Sequence, residues 1–450
     1  IKRATLHVTA LGLYECRING RRVGDEVLTP GWTDYRKRVA FQSYDVTDLL
    51  RDGANALGVT LGDGWYCGFV GFRPREVYGE RPELLLQREI EREDGKAVTV
   101  VSDGNWKTAD GPILSNDLLM GTAYDERRER GAWSEPGYDE VDWRPVHVGE
   151  ARDIAIETPM APPVRRQEEL AVAKETRVGN TRIFDMGQNM VGRVRIRFPG
   201  EPGRHVVIKH AEMLQENGSL YTENLRAARC TDTYTCAREG EVEWEPPFTF
   251  HGFRYVSVDG LPADAACEVT GLVLHNDMPV TGSFRCSNEL LNQLEHNILW
   301  GQKGNFLEVP TDCPQRNERL GWTGDAQVFI RTAAFHMDVQ SFFHKWLRDV
   351  RDAQAPSGGI PAVVPNVMGP KGAGEYSGPA WADAAIICPW TVYLCYGDRQ
   401  VLEDNYECMQ RFMRFVEETR LVDGVRDHPW AEGFKGFGDW LALDGSKSSF

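Results

Sequence analysis

The chain has 450 residues, of which 51 are Lys or Arg and 67 are Asp or Glu, so its formal net charge is −16 at pH 7. This length exceeds what one ordinary hydrophobic core supports and predicts two to four domains of about 100–200 residues each. The negative charge repels phosphate backbones and anionic lipid surfaces, so we expect neither nucleic acid nor a membrane as a partner.

Short runs of alternating polar and apolar residues, broken by glycine, fill the chain up to about residue 277. Examples are "ATLHVTALGLYECRINGRRV" (4–23), "TRIFDMGQNMVGRVRIRF" (181–198) and "FRYVSVDG" (253–260). A period of two predicts strands, and many strands in succession predict two antiparallel β-sandwich domains. Three prolines in "IETPMAPPVRR" (156–166) indicate a connection. We therefore predict one sandwich over residues 1–160 and a second over 161–277.

From residue 278 the apolar residues recur at helical spacing. Ser287 is a suitable N-cap for a helix that presents Leu290, Leu291, Leu294 and Ile298, and further helices are predicted after Asp338, from about 381 to 396, and from 398 onward. The loops at 353–380 and 421–440 are long and rich in Gly, Pro and Trp, which is typical of functional loops. Residues 278–450 are thus predicted to form part of an α/α toroid. About half of such a toroid fits, so we expect it to be incomplete at its C-terminus.

The segment "DCPQRNERLGWTGD" (312–325) lies between two of these helices and carries Asp312, Arg316, Glu318, Trp322 and Asp325. Glycosidic cleavage needs a proton donor for the leaving oxygen, a second carboxylate, and a surface for sugar hydroxyls and C–H faces. Carboxylates hold hydroxyls by charge-assisted hydrogen bonds, and indole packs on C–H faces. We expect Arg316 to pair with Asp312 or Asp325, which leaves Glu318 to retain its proton.

A purely structural interpretation of the same segment is open. Asp325 would be an N-cap, Arg316 and Glu318 a salt bridge in the loop, and Trp322 a core residue. Two more segments, "SGPAWADA" (377–384) and "GFGDWLALD" (436–444), repeat the association of glycine, tryptophan and aspartate before a helix. Three such loops in one helical domain favour a carbohydrate cleft.

Other motifs point to no further chemistry. The ten cysteines form no C-x-x-C pair, which argues against a disulfide scaffold and a zinc ribbon, and we expect a cytoplasmic rather than a secreted protein. His205 and His210 lie in a strand-like stretch, where solvated or core positions are the ordinary outcome. "GDGWYCGFVGFR" (62–73) is glycine-rich but is predicted to open no helix, so it is not a phosphate loop. We expect no cofactor and no metal.

The motifs quoted at 312–325, 377–384 and 436–444, with "FDMGQNMVGRVRI" (184–196) and "LGLYECRINGRRVGDEVLTPGWTDYRKRV" (11–39), resemble bacterial α-L-rhamnosidases of glycoside hydrolase family 78 over the whole chain. The resemblance implies an (α/α)6 catalytic barrel and an inverting hydrolase that releases terminal L-rhamnose from oligosaccharides or plant glycosides. Matched position by position, it implies Glu318 as the general acid. The rhamnose-binding residues that it implies are Asp312, Arg316, Trp322, Asp325, Trp381 and Trp440.

Two positions depart from the family pattern. Asn317 stands where many members have an acidic residue, beside the filled acid position. No segment resembles the surroundings of the family's general base, a glutamate of the later barrel, and Glu432 and Asp439 are the nearest internal substitutes. A non-catalytic carbohydrate-binding protein on the same domains therefore stays an alternative. A phosphorylase or lyase would need a phosphate pocket or a Tyr/His pair that the sequence does not offer, and a homo-oligomer is compatible with all of these interpretations.

Overall fold

The computed structural model describes residues 1–426, 434, 436–438 and 440. They form two compact units. Unit 1 comprises Ile1–Pro159, Pro163–His275 and Pro314–Asn317, and unit 2 comprises Met160–Pro162, Asn276–Cys313 and Glu318–Phe450. Over the described ranges, no helix combines the length and the apolar character that a membrane crossing requires.

Unit 1 is built mainly of strands and contains one short α-helical turn among its described residues. The turn is α1 (Gly64–Cys67), and it lies in the glycine-rich stretch that was predicted to open no helix. The strands are β1 (Arg3–Leu11), β2 (Leu13–Ile18), β3 (Arg21–Arg22), β4 (Arg38–Ala40), β5 (Gln42–Asp45), β6 (Leu57–Gly62), β7 (Glu83–Glu91), β8 (Ala97–Val101), β9 (Lys107–Thr108), β10 (Ile113–Asp117), β11 (Gly121–Asp125), β12 (Arg144–Pro145), β13 (Ala155–Glu157), β14 (Val164–Ala171), β15 (Lys174–Val178), β16 (Thr181–Gly200), β17 (His205–Ala211), β18 (Met213–Leu214), β19 (Leu220–Tyr221), β20 (Thr231–Thr235), β21 (Gly240–Trp244), β22 (His251–Asp259) and β23 (Glu268–Asn276).

The first core of unit 1 is shared by two sheets, β5-β1-β7-β8 and β3-β2-β6. Alternate residues of β1, such as Leu6 and Val8, and of β2, such as Tyr14 and Cys16, are buried in one apolar cluster. Because successive side chains of a strand point to opposite faces, the alternation in the sequence gives each sheet one apolar face.

A ten-stranded sheet forms the rest of the framework of unit 1. Its order is β10-β11-β20-β17-β22-β16-β23-β14, with β15 and β21 also paired to β16. Most neighbours in this sheet are antiparallel, but β11 pairs with β20 in parallel, and β13 and β4 form a separate parallel pair. The prediction of wholly antiparallel sheets is therefore wrong at these two pairs. Each pair joins strands far apart in the sequence, where the connection is long enough for a crossover. Strands from both sides of residue 160 share this sheet, and the boundary predicted there stays a prediction.

A buried ionic cluster lies on β17, β20 and β22. His251 Nε2 is 3.0 Å from one carboxylate oxygen of Asp232, and the other accepts the Thr122 N–H at 2.7 Å. The His210 ring stacks on that of His251 with centroids 4.2 Å apart, and its Nδ1 is 3.1 Å from the Cys230 carbonyl oxygen. Burial alone would lower the pKa of His251, but attraction to Asp232 raises it to about 9, and the same attraction lowers the pKa of Asp232.

The first prediction tests this ion pair. His251→Gln leaves Asp232 buried without its cation, so we expect the free energy of unfolding at pH 6 to fall by about 3–5 kcal/mol. The contribution of His251 is complete below its unfolded pKa of about 6.5. It is lost as the pH rises through about 9. Urea unfolding of wild type and variant should therefore converge between about pH 6.5 and 9.5.

The matched control is His205→Gln. His205 lies on β17, the strand that carries His210, but it is exposed, and its Nδ1 is 3.0 Å from Thr235 Oγ1. We expect this variant to lose less than about 0.5 kcal/mol at any of these pH values. A His251→Gln deficit that stays constant from pH 6 to 9.5 would show that His251 carries no charge in the folded protein.

Unit 2 is mainly helical. Its helices are α2 (Glu289–Asn305), α3 (Thr323–His336), α4 (Gln340–Ala353), α5 (Ala384–Tyr396) and α6 (Arg399–Thr419), and its short strands are β24 (Phe306–Leu307), β25 (Val309–Pro310), β26 (Leu421–Val422) and β27 (Val425–Arg426).

The helix ends follow local capping signals. α5 ends at Gly397, whose φ of 68° is left-handed, and the Asp398 side chain accepts a backbone N–H in the first turn of α6. One predicted cap is wrong. α2 is capped by Asn288, which accepts the N–H of Leu290 at 2.9 Å, and not by Ser287, because the helix begins one residue later than a Ser287 cap requires.

Helices α2, α3 and α5 of unit 2 expose apolar side chains at helical spacing. Three of the α2 residues predicted at this spacing are among them, and Leu290 retains 81% of its accessible surface. A stripe of this kind is ordinarily covered by another element. The exposed residues are Leu290, Leu291 and Leu294 on α2, Val328 and Phe335 on α3, and Ile387, Trp390 and Leu394 on α5.

Candidate active site

The loop before α3 brings acidic side chains together. The Asp312 N–H donates to the Leu320 carbonyl at 3.1 Å, and the Leu320 N–H donates to the Asp312 carboxylate at 3.2 Å, so the two ends of the loop are joined. Polar atoms of Asp312, Cys313 and Glu318 all lie within 4.8 Å of one another. Cys313 and Glu318 are buried, with their sulfur and carboxylate oxygen 4.0 Å apart.

Asp312 and Asp325 retain their protons more readily than an ordinary aspartate does. Burial raises the pKa of Asp312 to about 7, and the negative charges of Glu318 and Asp325 act in the same direction. The pKa of Asp325 is raised by lost hydration and then by Glu318, although the residue as a whole stays exposed. The sequence argument assigned the retained proton to Glu318 alone. The structure places the raised pKa on Asp312, which that argument had treated as one possible partner for Arg316.

The three tryptophans predicted for the site contact one phenyl ring. The centroid of the Phe437 ring lies 5.6 Å from that of Trp322, 4.9 Å from that of Trp381 and 5.7 Å from that of Trp440. Trp440 is exposed, and the other two are half-buried. The sequence analysis did not single out Phe437, and the available signal was its position inside the "GFGDW" motif.

The acidic and aromatic groups meet at the start of α3. Trp322 is the residue before the helix, and Asp325 lies in the first turn, so the interpretation of Asp325 as an N-cap is wrong. A Cβ at Gly324 would lie 2.6–2.8 Å from atoms of the Trp381 indole, which therefore rests directly on this turn. The Nε1 atom of Trp322 is buried and has no hydrogen-bond partner among the described residues. A sugar hydroxyl is a suitable acceptor for it.

A salt bridge supports the segment that carries Trp381. Asp383 accepts the Ala380 N–H at 2.9 Å and contacts Arg426 Nη1 at 2.5 Å. The same guanidinium donates to the Tyr376 hydroxyl at 3.1 Å. The Gln327 side chain of α3 donates to the Ala380 carbonyl. Asp383, the aspartate of "SGPAWADA", is thus fixed by Arg426 and in turn holds the loop that carries Trp381.

Backbone strain adjoins both halves of the site. Arg319, next to Glu318, has a φ of 54°, and Ala380, next to Trp381, has a φ of 64°. A left-handed backbone costs a residue with a side chain about 1–3 kcal/mol and persists only where the surroundings hold it. Residues 320–323 are held by the segment 361–364, through bonds such as that from the Val364 N–H to the Gly321 carbonyl at 2.9 Å.

The predicted site residues divide between the two units. Arg316 belongs to the segment Pro314–Asn317 of unit 1, and its predicted pairing with Asp312 or Asp325 stays a prediction. The other six predicted residues belong to unit 2. Glu432 and Asp439, the internal substitutes for a general base, lie outside the described residues.

Two groups of side chains have the composition of metal ligands. One is the Asp312 cluster, and the other is His210, Asp232 and His251. In the second group the imidazole planes are 27° apart and stacked, so their nitrogen lone pairs run side by side and do not converge on one point. With a hydrogen bond of 3.0 Å between His251 and Asp232, this geometry fits a buried ion pair, and His210 lies in the core as predicted.

Family models match nearly the whole chain. They describe an α-L-rhamnosidase N-terminal domain at residues 1–168, a bacterial α-L-rhamnosidase concanavalin-like domain at 175–275, and a bacterial α-L-rhamnosidase 6 hairpin glycosidase domain at 279–450.

Individual relatives agree with these models. An α-L-rhamnosidase of Streptomyces avermitilis is 47% identical over 98% of this chain and 42% of its own length. The crystal structure of S. avermitilis α-L-rhamnosidase complexed with L-rhamnose is similar with a TM-score of 0.92, over 98% of this chain and 42% of that one. The native enzyme of Aspergillus terreus, at 43% identity, has a TM-score of 0.86 over 91% of this chain and 48% of that one. This chain spans about half the length of the relatives that it matches.

The second prediction concerns Gly324. Alanine is the better helix former by about 1 kcal/mol, but the added methyl group must displace the Trp381 indole, and overpacking typically costs about 1–3 kcal/mol. We expect Gly324→Ala to lower the unfolding free energy and to change tryptophan fluorescence. Gly301→Ala is the matched control, because a Cβ at this position of α2 meets nothing within 4 Å. Gly301→Ala should stabilise, and equal stabilisation by Gly324→Ala would place Trp381 away from the turn.

Proposed function

Because the chain belongs to the bacterial α-L-rhamnosidases of glycoside hydrolase family 78, we propose that it forms part of an enzyme that hydrolyses α-L-rhamnosides and releases terminal L-rhamnose. One observation carries this proposal: the loop before α3 carries carboxyl groups, one with a pKa of about 7, and leads to Trp322, whose indole contacts the same phenyl ring as those of Trp381 and Trp440. The substrates are rhamnose-containing oligosaccharides or plant glycosides.

In the proposed reaction Glu318 is the general acid. It donates its proton to the glycosidic oxygen while the bond between that oxygen and the anomeric carbon breaks, and water attacks the carbon from the opposite face. A second carboxylate takes the proton from the water. Glu318 is 8% exposed and lies beside Asp312, so one cluster holds both the proton and the groups that bind hydroxyls. The indoles supply apolar surface for the C–H faces and the methyl group of a 6-deoxy sugar.

We also propose that helices outside these 450 residues complete an (α/α)6 barrel and carry the general base, which inversion requires at about 6.5–9.5 Å from the acid. The exposed apolar stripes of α2, α3 and α5 support this, since covering them requires further helices. α5 in particular is apolar on most sides and yet exposes Trp390 to 50%. We assign unit 1 to two sandwich domains, at residues 1–160 and 161–277.

The third prediction tests the role of Glu318 in a protein with the complete barrel. Glu318→Gln is nearly isosteric but cannot donate a proton, so kcat/KM for a rhamnoside with a poor leaving group should fall by about 10²–10⁴-fold. An aryl rhamnoside whose leaving group departs as an anion should lose much less, because it hardly needs protonation. A lost binding contact would instead penalise both substrates equally.

The matched control for this experiment is Glu417→Gln, at an exposed position of α6. It should leave both rates unchanged, and thermal unfolding should show that both variants fold. Equal losses on the two substrates would demote Glu318 to a binding residue. If the wild-type protein binds L-rhamnose but hydrolyses neither substrate, the chain belongs to a carbohydrate-binding protein, and the proposed activity is wrong.

The fourth prediction tests the completion of the barrel. Leu290→Lys with Leu294→Lys should reduce self-association of the 450-residue chain, measured by light scattering, because it removes apolar surface from α2. In the complete barrel the same change should lower the unfolding free energy by at least about 2 kcal/mol, as expected for a buried leucine. Val141→Lys, at an exposed position of unit 1, should do neither. Unchanged stability of the complete protein would mean that nothing covers this face.

A further inference from the structure

We propose that Phe437 is a positioning residue, which orients the indoles of Trp322 and Trp381 and thereby sets the preference for a sugar with a methyl group in place of a hydroxymethyl group. The inference rests on the proposed function and extends it to substrate choice. Phe437 acts through the contacts of its ring with Trp322, Trp381 and Trp440. It does not act through contact with the reacting atoms.

The geometry of the ring contacts is directional. The Phe437 plane is inclined by 69° to that of Trp322 and by 79° to that of Trp440, both edge-to-face, and by 49° to that of Trp381. Aromatic pairs prefer edge-to-face or offset arrangements because the ring edge is positive and the face negative. A phenyl ring between two indoles therefore constrains the angle of each plane. An aliphatic side chain of similar volume fills the space without that constraint.

Phe437 is itself held from the other side. The Phe434 ring contacts it at 5.1 Å, and the Phe434 carbonyl accepts a hydrogen bond from Arg420. At Gly436, with a φ of 112°, a Cβ would lie 3.2 Å from the Gly378 Cα, so the backbone next to Phe437 passes close to the loop that leads to Trp381. The contacts of Phe434 and Gly436 thus fix the position of the Phe437 ring. The Phe437 ring in turn positions the indoles of Trp322 and Trp381.

Trp381 has a second support besides Phe437. Its indole rests on Gly324 in the first turn of α3 and also contacts the Phe437 ring. Trp322 directly precedes the same helix, and its ring and that of Phe437 are edge-to-face. The indoles of Trp322 and Trp381 therefore both contact Phe437, and a change at Phe437 reaches both.

The consequence is selectivity at carbon 6 of the sugar. A methyl group packs against the face of an indole, whereas the extra hydroxyl of L-mannose would lose its hydration against the same apolar face. Apolar pockets discriminate such pairs by about 10²-fold at most, and the value depends on how closely the walls fit. Without the Phe437 ring, the indoles of Trp322 and Trp381 should fit both sugars less closely. The preference for the rhamnoside over the mannoside should then fall.

The experiment uses a protein with the complete barrel and compares Phe437→Leu, Phe437→Tyr and Phe329→Leu. Phe329→Leu is the matched control, because the one aromatic contact of Phe329 within the described residues is with Phe306, at 6.0 Å. The probes are aryl α-L-rhamnoside and aryl α-L-mannoside with the same leaving group. The measurements are KM and kcat for each, and the near-UV circular dichroism of the tryptophans.

For Phe437→Leu we expect KM for the rhamnoside to rise by about 10-fold, the ratio of kcat/KM values to fall by about 10-fold, and kcat to change much less. Its near-UV circular dichroism should change, Phe437→Tyr should restore all of these values, and Phe329→Leu should alter none.

Unchanged KM and selectivity in Phe437→Leu would overturn the proposal. A lower KM would overturn it too, because the ring would then occupy the place of the sugar. Hydrolysis of neither sugar by the wild type would refute the proposed function instead, and the circular dichroism would still test whether Phe437 orients the indoles.

Discussion

Carboxyl groups crowd the loop that leads into α3, and this crowding has an electrostatic cost. Burial raises the pKa of Asp312 and of Asp325, and the negative charge of Glu318 acts on both in the same direction. A carboxyl group that keeps its proton near neutral pH is what acid catalysis of glycoside cleavage needs. The crowding therefore destabilises the folded loop and equips it for chemistry at the same time.

Contacts elsewhere in unit 2 offset the electrostatic cost of these crowded carboxyl groups. Residues 361–364 pair with the backbone on either side of Trp322, and Arg426 ties Asp383 to Tyr376. The left-handed residues Arg319 and Ala380 lie beside Glu318 and Trp381, where strained backbone is held by these contacts. The site is thus assembled from loops, but each loop has its own fixed support.

Local signals in the sequence predicted the helical boundaries at Gly397 and Asp398 and gathered Asp312, Glu318 and Trp322 into one stretch, because caps and loop motifs are properties of short segments. The parallel pairing of β11 with β20 escaped prediction, since it depends on which distant strands meet. Phe437 escaped it for the same reason. Its contacts with Trp322 and Trp381 join distant segments, and its position in the "GFGDW" motif does not show which rings it meets.

The contact between Gly324 and Trp381 has a consequence for how this sequence can diverge. While the indole rests on the helix turn, any side chain at position 324 collides with it, so the two positions cannot vary independently. A smaller residue must replace Trp381 first, and only then does position 324 accept alanine, which the helix favours. Once alanine is established there, a returning tryptophan meets an occupied space. The Trp381 indole would thus be easier to lose in evolution than to regain.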